Sequence, residues 1–249
     1  MTRHALIITN PGEAGAENYC AGVNKDAENY RGFLLSPIGG YWQESEIKHL
    51  HRPTLVDVRQ EIKTLPYYDY VVVVFSGHGW YSTTIRSTVL ILRQGQEMDC
   101  AEFRACNTKQ TMIIDCCREE SIGLPLQKAV KEGLARAATQ LHPADCRLYY
   151  DKRVEECSNE LVVTYACGIS ERSGDDSQRG GVYSYSLLDA SIAWAQSLDI
   201  DTARFCQILA VPAAHDLAVP RVQRIRAGRQ TPAIEKPRSG PYFPFCIVA

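Results

Sequence analysis

The stretch Tyr70-Val-Val-Val-Val-Phe-Ser-Gly-His-Gly79 decides the fold, because it is apolar without alternation as far as Phe75. A strand of this kind is buried on both faces, which is typical of a parallel sheet covered by helices. Thr111–Ile114 and Leu161–Ala166 have the same character, and Ala5–Thr9 is a shorter apolar run. The strands alternate with segments of helical periodicity. This order predicts an α/β fold with a mainly parallel central sheet and helices on both faces.

Helical segments are predicted between the strands. Thr54 is a typical N-cap for a helix whose apolar residues recur at spacings of three and four as far as Leu65. Further helices are predicted at about 24–34, 121–139, 183–197 and 202–210. From Pro143 to about 160 the polar and charged composition predicts an exposed loop. Residues 212–244 are rich in Pro, Arg and Gly, so they are predicted to be irregular.

Length and composition fix the class of protein. The 249 residues are expected to form a single domain over 1–249, and the 45% hydrophobic and 22% charged content excludes disordered and coiled-coil classes. The net charge of −2 gives no support to nucleic-acid binding by bulk charge. No apolar run approaches the roughly 18–20 residues of a membrane span, and the start does not resemble a secretory signal. The ten cysteines are predicted to be mostly reduced, in a cytoplasmic protein.

Reactive side chains follow two of the predicted strands. His78 stands between two glycines after the first strand, and Cys116 and Cys117 follow the second. Ligands of parallel sheets bind beyond the carboxyl ends of the strands, so we expect these side chains at one edge. An imidazole that takes the proton of a thiol creates a thiolate that attacks carbonyl groups. The backbone amides of Gly79 and Cys117 are candidates for the oxyanion hole, and this chemistry needs no cofactor.

Other interpretations of these residues are weaker. A histidine at a strand end is more often structural, and a cysteine in a buried strand is usually inert. Structural zinc ligands come in pairs about two to four residues apart, whereas the cysteines at 100, 106, 116 and 117 are irregularly spaced, so no metal site is predicted. Nucleotide binding lacks a glycine-rich phosphate motif. A catalytically inactive scaffold or interaction module stays the alternative function, although His78 and Cys117 are both present.

Several motifs resemble those of the caspase and metacaspase superfamily of cysteine peptidases. The paired motifs are Ser76-Gly77-His78-Gly79 and Asp115-Cys116-Cys117-Arg118, and further similar segments are 165–171, 181–188, 230–232 and 243–245. The resemblance implies a caspase-like fold and a Cys-His dyad, with Cys117 as nucleophile because it has the third place of the Asp-x-Cys motif, and His78 as base. It also implies protein or peptide substrates. Stand-alone relatives of this kind in bacteria imply a role in stress or antiviral defence.

The residue before the cysteine pair predicts the specificity. Asp115 stands where metacaspases carry an aspartate, and a carboxylate in a partly buried pocket favours a cationic side chain, best of all arginine. Glu171 and Asp175, with Asp176, are candidates for further negative charge in this S1 pocket, or for a solvated loop. We therefore predict cleavage after Arg or Lys. The aspartate-rich segment of calcium-dependent relatives is missing, so no calcium requirement is predicted.

Many members of the family that this chain resembles are made as zymogens that are cut between a large and a small segment. By that resemblance, residues 1–127 form a large-subunit-like segment, 128–158 a processing linker and 159–249 a small-subunit-like segment. Cleavage by the enzyme itself or by an upstream activating protease is expected in the linker. The candidate processing sites are its basic residues, Lys131, Arg136, Arg147, Lys152 and Arg153.

Overall fold

The computed structural model describes residues 1–105, 109–119, 141–198 and 206–249. Within these ranges a six-stranded sheet has the order β12-β8-β7-β3-β1-β2. Every neighbouring pair is parallel except β12 with β8, so the predicted mainly parallel sheet is confirmed. Its strands are β1 (Arg3–Asn10), β2 (Ile47–His51), β3 (Tyr70–Gly77), β7 (Lys109–Asp115), β8 (Leu161–Tyr165) and β12 (Ala233–Glu235).

Alternate residues of each central strand enter two separate cores. Ala5 and Ile7 pack on one face of the sheet, and Leu6 and Ile8 pack on the other. Helices cover the first face: α1 (Gly22–Leu35), α3 (Pro143–Glu156), α4 (Val182–Ser197) and α5 (Val211–Ile225). The second face is covered by α2 (Leu55–Ile62) together with a small antiparallel sheet of β4 (Gly79–Ser82), β5 (Ser87–Arg93) and β6 (Gln96–Asp99).

Two short antiparallel pairs complete the structure. They are β9 (Asp175–Asp176) with β10 (Gly180–Gly181), and β11 (Gln207–Ala210) with β13 (Pro244–Val248). In the ranges that the structure describes, no helix combines the length and apolar character that a membrane span needs.

The predicted helices at 24–34, 54–65 and 183–197 are confirmed as α1, α2 and α4, whereas that at 121–139 lies outside the described residues. Three other expectations were wrong. Residues from Pro143 form α3 and not a loop, because Cys146, Tyr150 and Val154 recur every four residues and are buried. Part of the predicted helix at 202–210 is strand β11. The region after Pro212 begins as α5, whose first turn accepts this proline.

A buried cluster of charges attaches α3 to the start of the sheet. The Arg3 side chain is enclosed, with Nη1 3.2 Å from Asp151 Oδ1 and Nη2 3.3 Å from Glu46 Oε2. Arg147 binds the same glutamate through Nη2 and Oε1 at 2.6 Å. The Arg3 guanidinium also lies 4.4 Å from the centre of the Trp42 ring. Charged residues that suggested an exposed loop are therefore the groups that hold this helix in place.

Candidate active site

The register of the sheet brings the two reactive segments to one edge. β3 and β7 are parallel neighbours, and Ser76 pairs with Asp115 at their carboxyl ends. His78 and Cys117 each follow two residues later. Gly77 is required at the end of β3, because a Cβ there would lie 2.5 Å from the carbonyl oxygen of Asn10. The predicted convergence on this edge is therefore seen in the structure.

His78 is half-buried and held through both its backbone and its ring. Its carbonyl accepts a hydrogen bond from the Ile91 amide at 3.0 Å, and its ring Nε2 lies 3.3 Å from the carbonyl oxygen of Pro11. A carbonyl only accepts, so Nε2 carries the hydrogen in this contact, and the backbone of Asn18 is a second partner of the ring. Burial lowers the pKa of His78 and keeps the ring neutral near pH 7. This is the protonation state that a general base needs.

Cys117 is a half-buried thiol at the start of the loop after β7. Its Sγ lies 3.8 Å from the carbonyl oxygen of Ser173, to which it donates. Burial raises the pKa of this thiol, and the contact with Ser173 and the charge of Arg172 oppose the effect only in part. The free protein therefore holds Cys117 as a neutral thiol, and the thiolate forms only when a base removes its proton.

Cys116 has a packing role beside the nucleophile candidate. It is enclosed, and burial raises its pKa well above the usual range. A Cβ on Gly79 would lie 2.6 Å from its Sγ, so the Cys116 side chain rests directly against the backbone where β4 begins. This contact brings the Gly79 backbone next to the loop that carries Cys117. The two amides proposed for the oxyanion hole thus belong to segments that touch.

Close to Asp115 lies Asp26, a second buried carboxyl that the sequence motifs did not single out. Asp115 is 4% exposed and accepts hydrogen bonds from Ser173 Oγ at 2.6 Å and from Ser184 N at 2.9 Å. Asp26 in α1 is 0% exposed and accepts from the Gly181 amide at 3.0 Å. Burial raises the pKa of both carboxyls, and the Asp115 charge adds to the rise for Asp26. Among the described residues, no cation forms an ion pair with either of them.

A signal for Asp26 was present in the sequence. Val23, Ala27 and Tyr30 define the buried face of α1, and Asp26 lies three residues after the first and four before the last. An acidic side chain on the apolar face of a helix has to be buried, and a buried carboxylate needs a specific partner.

The other two candidates for the S1 pocket differ in their surroundings. Asp175 Oδ2 accepts from the Gly22 amide at 3.1 Å, whereas its Oδ1 is buried without a hydrogen bond. Burial, and then the charge of Asp115, raises the pKa of Asp175 to about 6. Glu171 instead accepts from the backbone amides of residues 168 and 231, at 3.0 and 2.6 Å, and so holds two loops together. Asp175 therefore joins the acidic cluster, and Glu171 braces the loops beside it.

The candidate processing sites are spread over two regions. Lys131 and Arg136 lie outside the described residues. Arg147, Lys152 and Arg153 lie within α3, and Arg147 is bound to Glu46 there. No group of three or more His, Cys, Asp or Glu side chains in the described ranges has an arrangement that could hold a metal ion.

Comparison with known proteins agrees with this architecture. A family model described as the caspase domain matches residues 2–239. No curated protein matches the sequence. Among solved structures, caspase-1 from Spodoptera frugiperda is similar with a TM-score of 0.58 at 11% sequence identity, over 94% of this chain and 87% of that one. At such low identity the similarity concerns the fold alone.

Proposed function

The chain belongs to the caspase-domain family of peptidases and has a caspase-like fold, and from this premise we propose that it is a cysteine endopeptidase that cleaves proteins after arginine or lysine. His78 and Cys117 form the catalytic dyad of this proposal. The observation that carries the specificity is the acidic cluster beside Cys117, formed by the buried Asp26 and Asp115 and the half-buried Asp175, with no cation bound to it among the described residues.

The dyad works by proton transfer and covalent attack. The His78 ring takes the proton of the Cys117 thiol, and the resulting thiolate attacks the carbonyl carbon of the scissile bond. The backbone amides of Gly79 and Cys117 donate to the oxygen of the tetrahedral intermediate. The imidazolium returns its proton to the leaving amine as the C–N bond breaks. Water, deprotonated by the same ring, then hydrolyses the acyl-enzyme and restores the thiol. The hydrogen bond from Nε2 to Pro11 supports this sequence, because it orients the ring throughout.

The acidic cluster supports a basic P1 residue. Carboxylates buried without a counter-charge are unfavourable, and a guanidinium that enters the pocket supplies the missing charge and several hydrogen-bond donors. Asp175 has a buried oxygen, Oδ1, that makes no hydrogen bond in the described residues and so has capacity to accept one. Arginine is favoured over lysine because its planar fork binds a carboxylate through two parallel bonds. An aspartate at P1 would add a further negative charge and is excluded.

Activation by cleavage is a further part of the proposal. A protease binds its substrate as an extended chain, so a cut at Arg147, Lys152 or Arg153 would first require unwinding of α3 and, at Arg147, loss of the ion pair with Glu46. Lys131 and Arg136 precede this helix, and we therefore favour them as processing sites. Self-cleavage at either site fits the proposed preference for basic residues.

The cellular setting is inferred from the cysteines and from the family resemblance. The cysteines of the described ranges are all free thiols, which supports a reducing, cytoplasmic environment. A role in bacterial stress or antiviral defence rests on the resemblance to stand-alone caspase-like proteins. Protein substrates follow from the family.

The test is hydrolysis of fluorogenic peptides that differ only at P1, with Arg, Lys, Asp or Leu. Cys117→Ala should abolish turnover, whereas the control Cys116→Ser, which keeps a side chain of similar size against Gly79, should retain it. We expect turnover of the Arg and Lys peptides alone, with no change on addition of calcium or a chelator. Turnover of the Asp peptide would overturn the basic specificity. Silence of both the intact protein and a protein nicked within 120–140 would favour an inactive scaffold.

A further inference from the structure

Arg118, the residue after the proposed nucleophile, is a buried cation. The residue as a whole is only 7% exposed. Nε donates to Thr88 Oγ1 at 3.0 Å, and Nη1 donates to the carbonyl oxygen of Cys167 at 3.3 Å. In the part of the chain that the structure describes, no carboxylate forms an ion pair with it. A buried charge without a counter-charge is costly, so this arrangement calls for an explanation.

Two aromatic rings replace the missing counter-charge. The guanidinium carbon lies 4.0 Å from the centre of the Tyr165 ring and 5.3 Å from that of Tyr81. Cations are attracted to the faces of such rings, more strongly where water is excluded. Tyr165 ends β8, whereas Tyr81 belongs to β4. Arg118 thus connects the loop after β7 to two different sheets through a single side chain.

These contacts meet the small sheet close to the proposed oxyanion hole. Tyr81 of β4 and Thr88 of β5 are paired across the strands, and Gly79 pairs with Leu90 in the same ladder. Arg118 therefore contacts both members of the Tyr81–Thr88 pair, which lies two residues from Gly79 along β4. Its own backbone is fixed as well, because its amide donates to the Glu171 carbonyl at 2.9 Å.

We propose that Arg118 is a positioning residue, which fixes the separation between the Gly79 amide on β4 and the Cys117 amide on the loop after β7. An oxyanion hole needs two donors at a set distance from one developing charge, and here one donor belongs to the small sheet and the other to the loop that follows β7 of the central sheet. The inference rests on the proposed function. The acidic cluster does not contact Arg118, so loss of this side chain should reduce kcat and leave KM nearly unchanged.

The test compares variants of Arg118 on the Arg peptide. Arg118→Ala should lower kcat by about 10²-fold, the size of losing one oxyanion donor, with KM changed by less than about threefold. Arg118→Lys should recover little, since an ammonium cannot bond two acceptors in the same fork. Guanidinium ion, at concentrations too low to unfold the protein, should raise kcat of Arg118→Ala at saturating peptide and should not raise that of wild type. Methylammonium serves as the control ion.

Two further variants separate positioning from general stability. Arg104→Ala removes an exposed arginine that donates to the hydroxyl of the same Tyr165 at 2.7 Å, and it should leave kcat within about twofold. Thr88→Val removes one partner of Arg118 and should lower kcat about tenfold. This variant provides the test if Arg118→Ala does not fold. An unchanged kcat in folded Arg118→Ala, or the absence of rescue by guanidinium, would overturn the inference alone. An inactive wild type would overturn the proposed function together with it.

Discussion

The acidic cluster should make the protein less stable as the pH rises, and Asp175→Asn isolates one of its groups. Burial raises the pKa of Asp175 from 3.8 to about 6 in the folded protein. A carboxyl whose pKa is raised on folding contributes stability below its unfolded pKa, and this contribution is lost as the pH rises through the folded pKa. The loss therefore falls between about pH 4 and pH 7, and amounts to about 3 kcal/mol for a shift of this size.

The substitution removes the titration and keeps the main contact. An asparagine oxygen can still accept from the Gly22 amide, which Asp175 Oδ2 holds at 3.1 Å. We therefore expect Asp175→Asn to match the parent near pH 4 and to be about 2–3 kcal/mol more stable at pH 7.5. Asp26 and Asp115 titrate in the same direction, so a smaller fall with pH should persist in the variant.

Urea unfolding at a series of pH values, followed by far-UV circular dichroism, measures this difference. Both proteins carry Cys117→Ala, so that self-cleavage does not interfere. The same substitution in the active enzyme should weaken hydrolysis of the Arg peptide, because the Asp175 charge that lowers stability is also the charge proposed to bind the P1 side chain. Parallel stability curves for the two proteins across this pH range would refute the reasoning. So would a variant that is less stable than its parent at pH 7.5.

Three further substitutions have expected outcomes of different kinds. Gly79→Ala places a Cβ 2.6 Å from Cys116 Sγ, and steady-state kinetics should show kcat about 10²-fold lower in a protein whose near-UV circular dichroism is unchanged. Asp26→Asn should lower kcat/KM for the Arg peptide by about 10²-fold, whereas the rate at which iodoacetamide alkylates Cys117 in the absence of peptide should be retained. An equal loss of both would contradict a role of Asp26 in P1 binding. Arg3→Met leaves Asp151 facing a buried methyl group and should cost about 3–5 kcal/mol in urea unfolding, part of which a second change, Asp151→Leu, should recover.

The sheet and its reactive edge could be predicted from the sequence because their signals are local. Runs such as Val71–Val74 have no polar face, and only a two-sided core accommodates them. The position of His78 and Cys117 at one edge then follows from parallel pairing alone. Neither conclusion depends on knowing which distant residues meet.

The two helices that were not predicted, α3 and α5, depend on contacts with residues distant in sequence. α3 carries so many charges that its composition is that of a loop, yet Arg147 and Asp151 meet partners from the first fifty residues of the chain. In α5, Pro220 and two arginines conceal the buried face formed by Ala214, Ala218 and Val222. A helix whose partners are distant in sequence has only a weak periodic signal of its own.

The attachment of α3 to Arg3 determines whether the two pieces of a cleaved chain stay together. The segment before 120 contributes β7, and the segment after 140 contributes its sheet neighbour β8. The Arg3–Asp151 ion pair also joins the two segments. Cleavage between them breaks one covalent bond and none of these contacts. A processed molecule should therefore migrate as two polypeptides under denaturing conditions and sediment as one particle under native ones. Its two pieces would be a single folding unit, so that neither is expected to be an enzyme, or a stable protein, without the other.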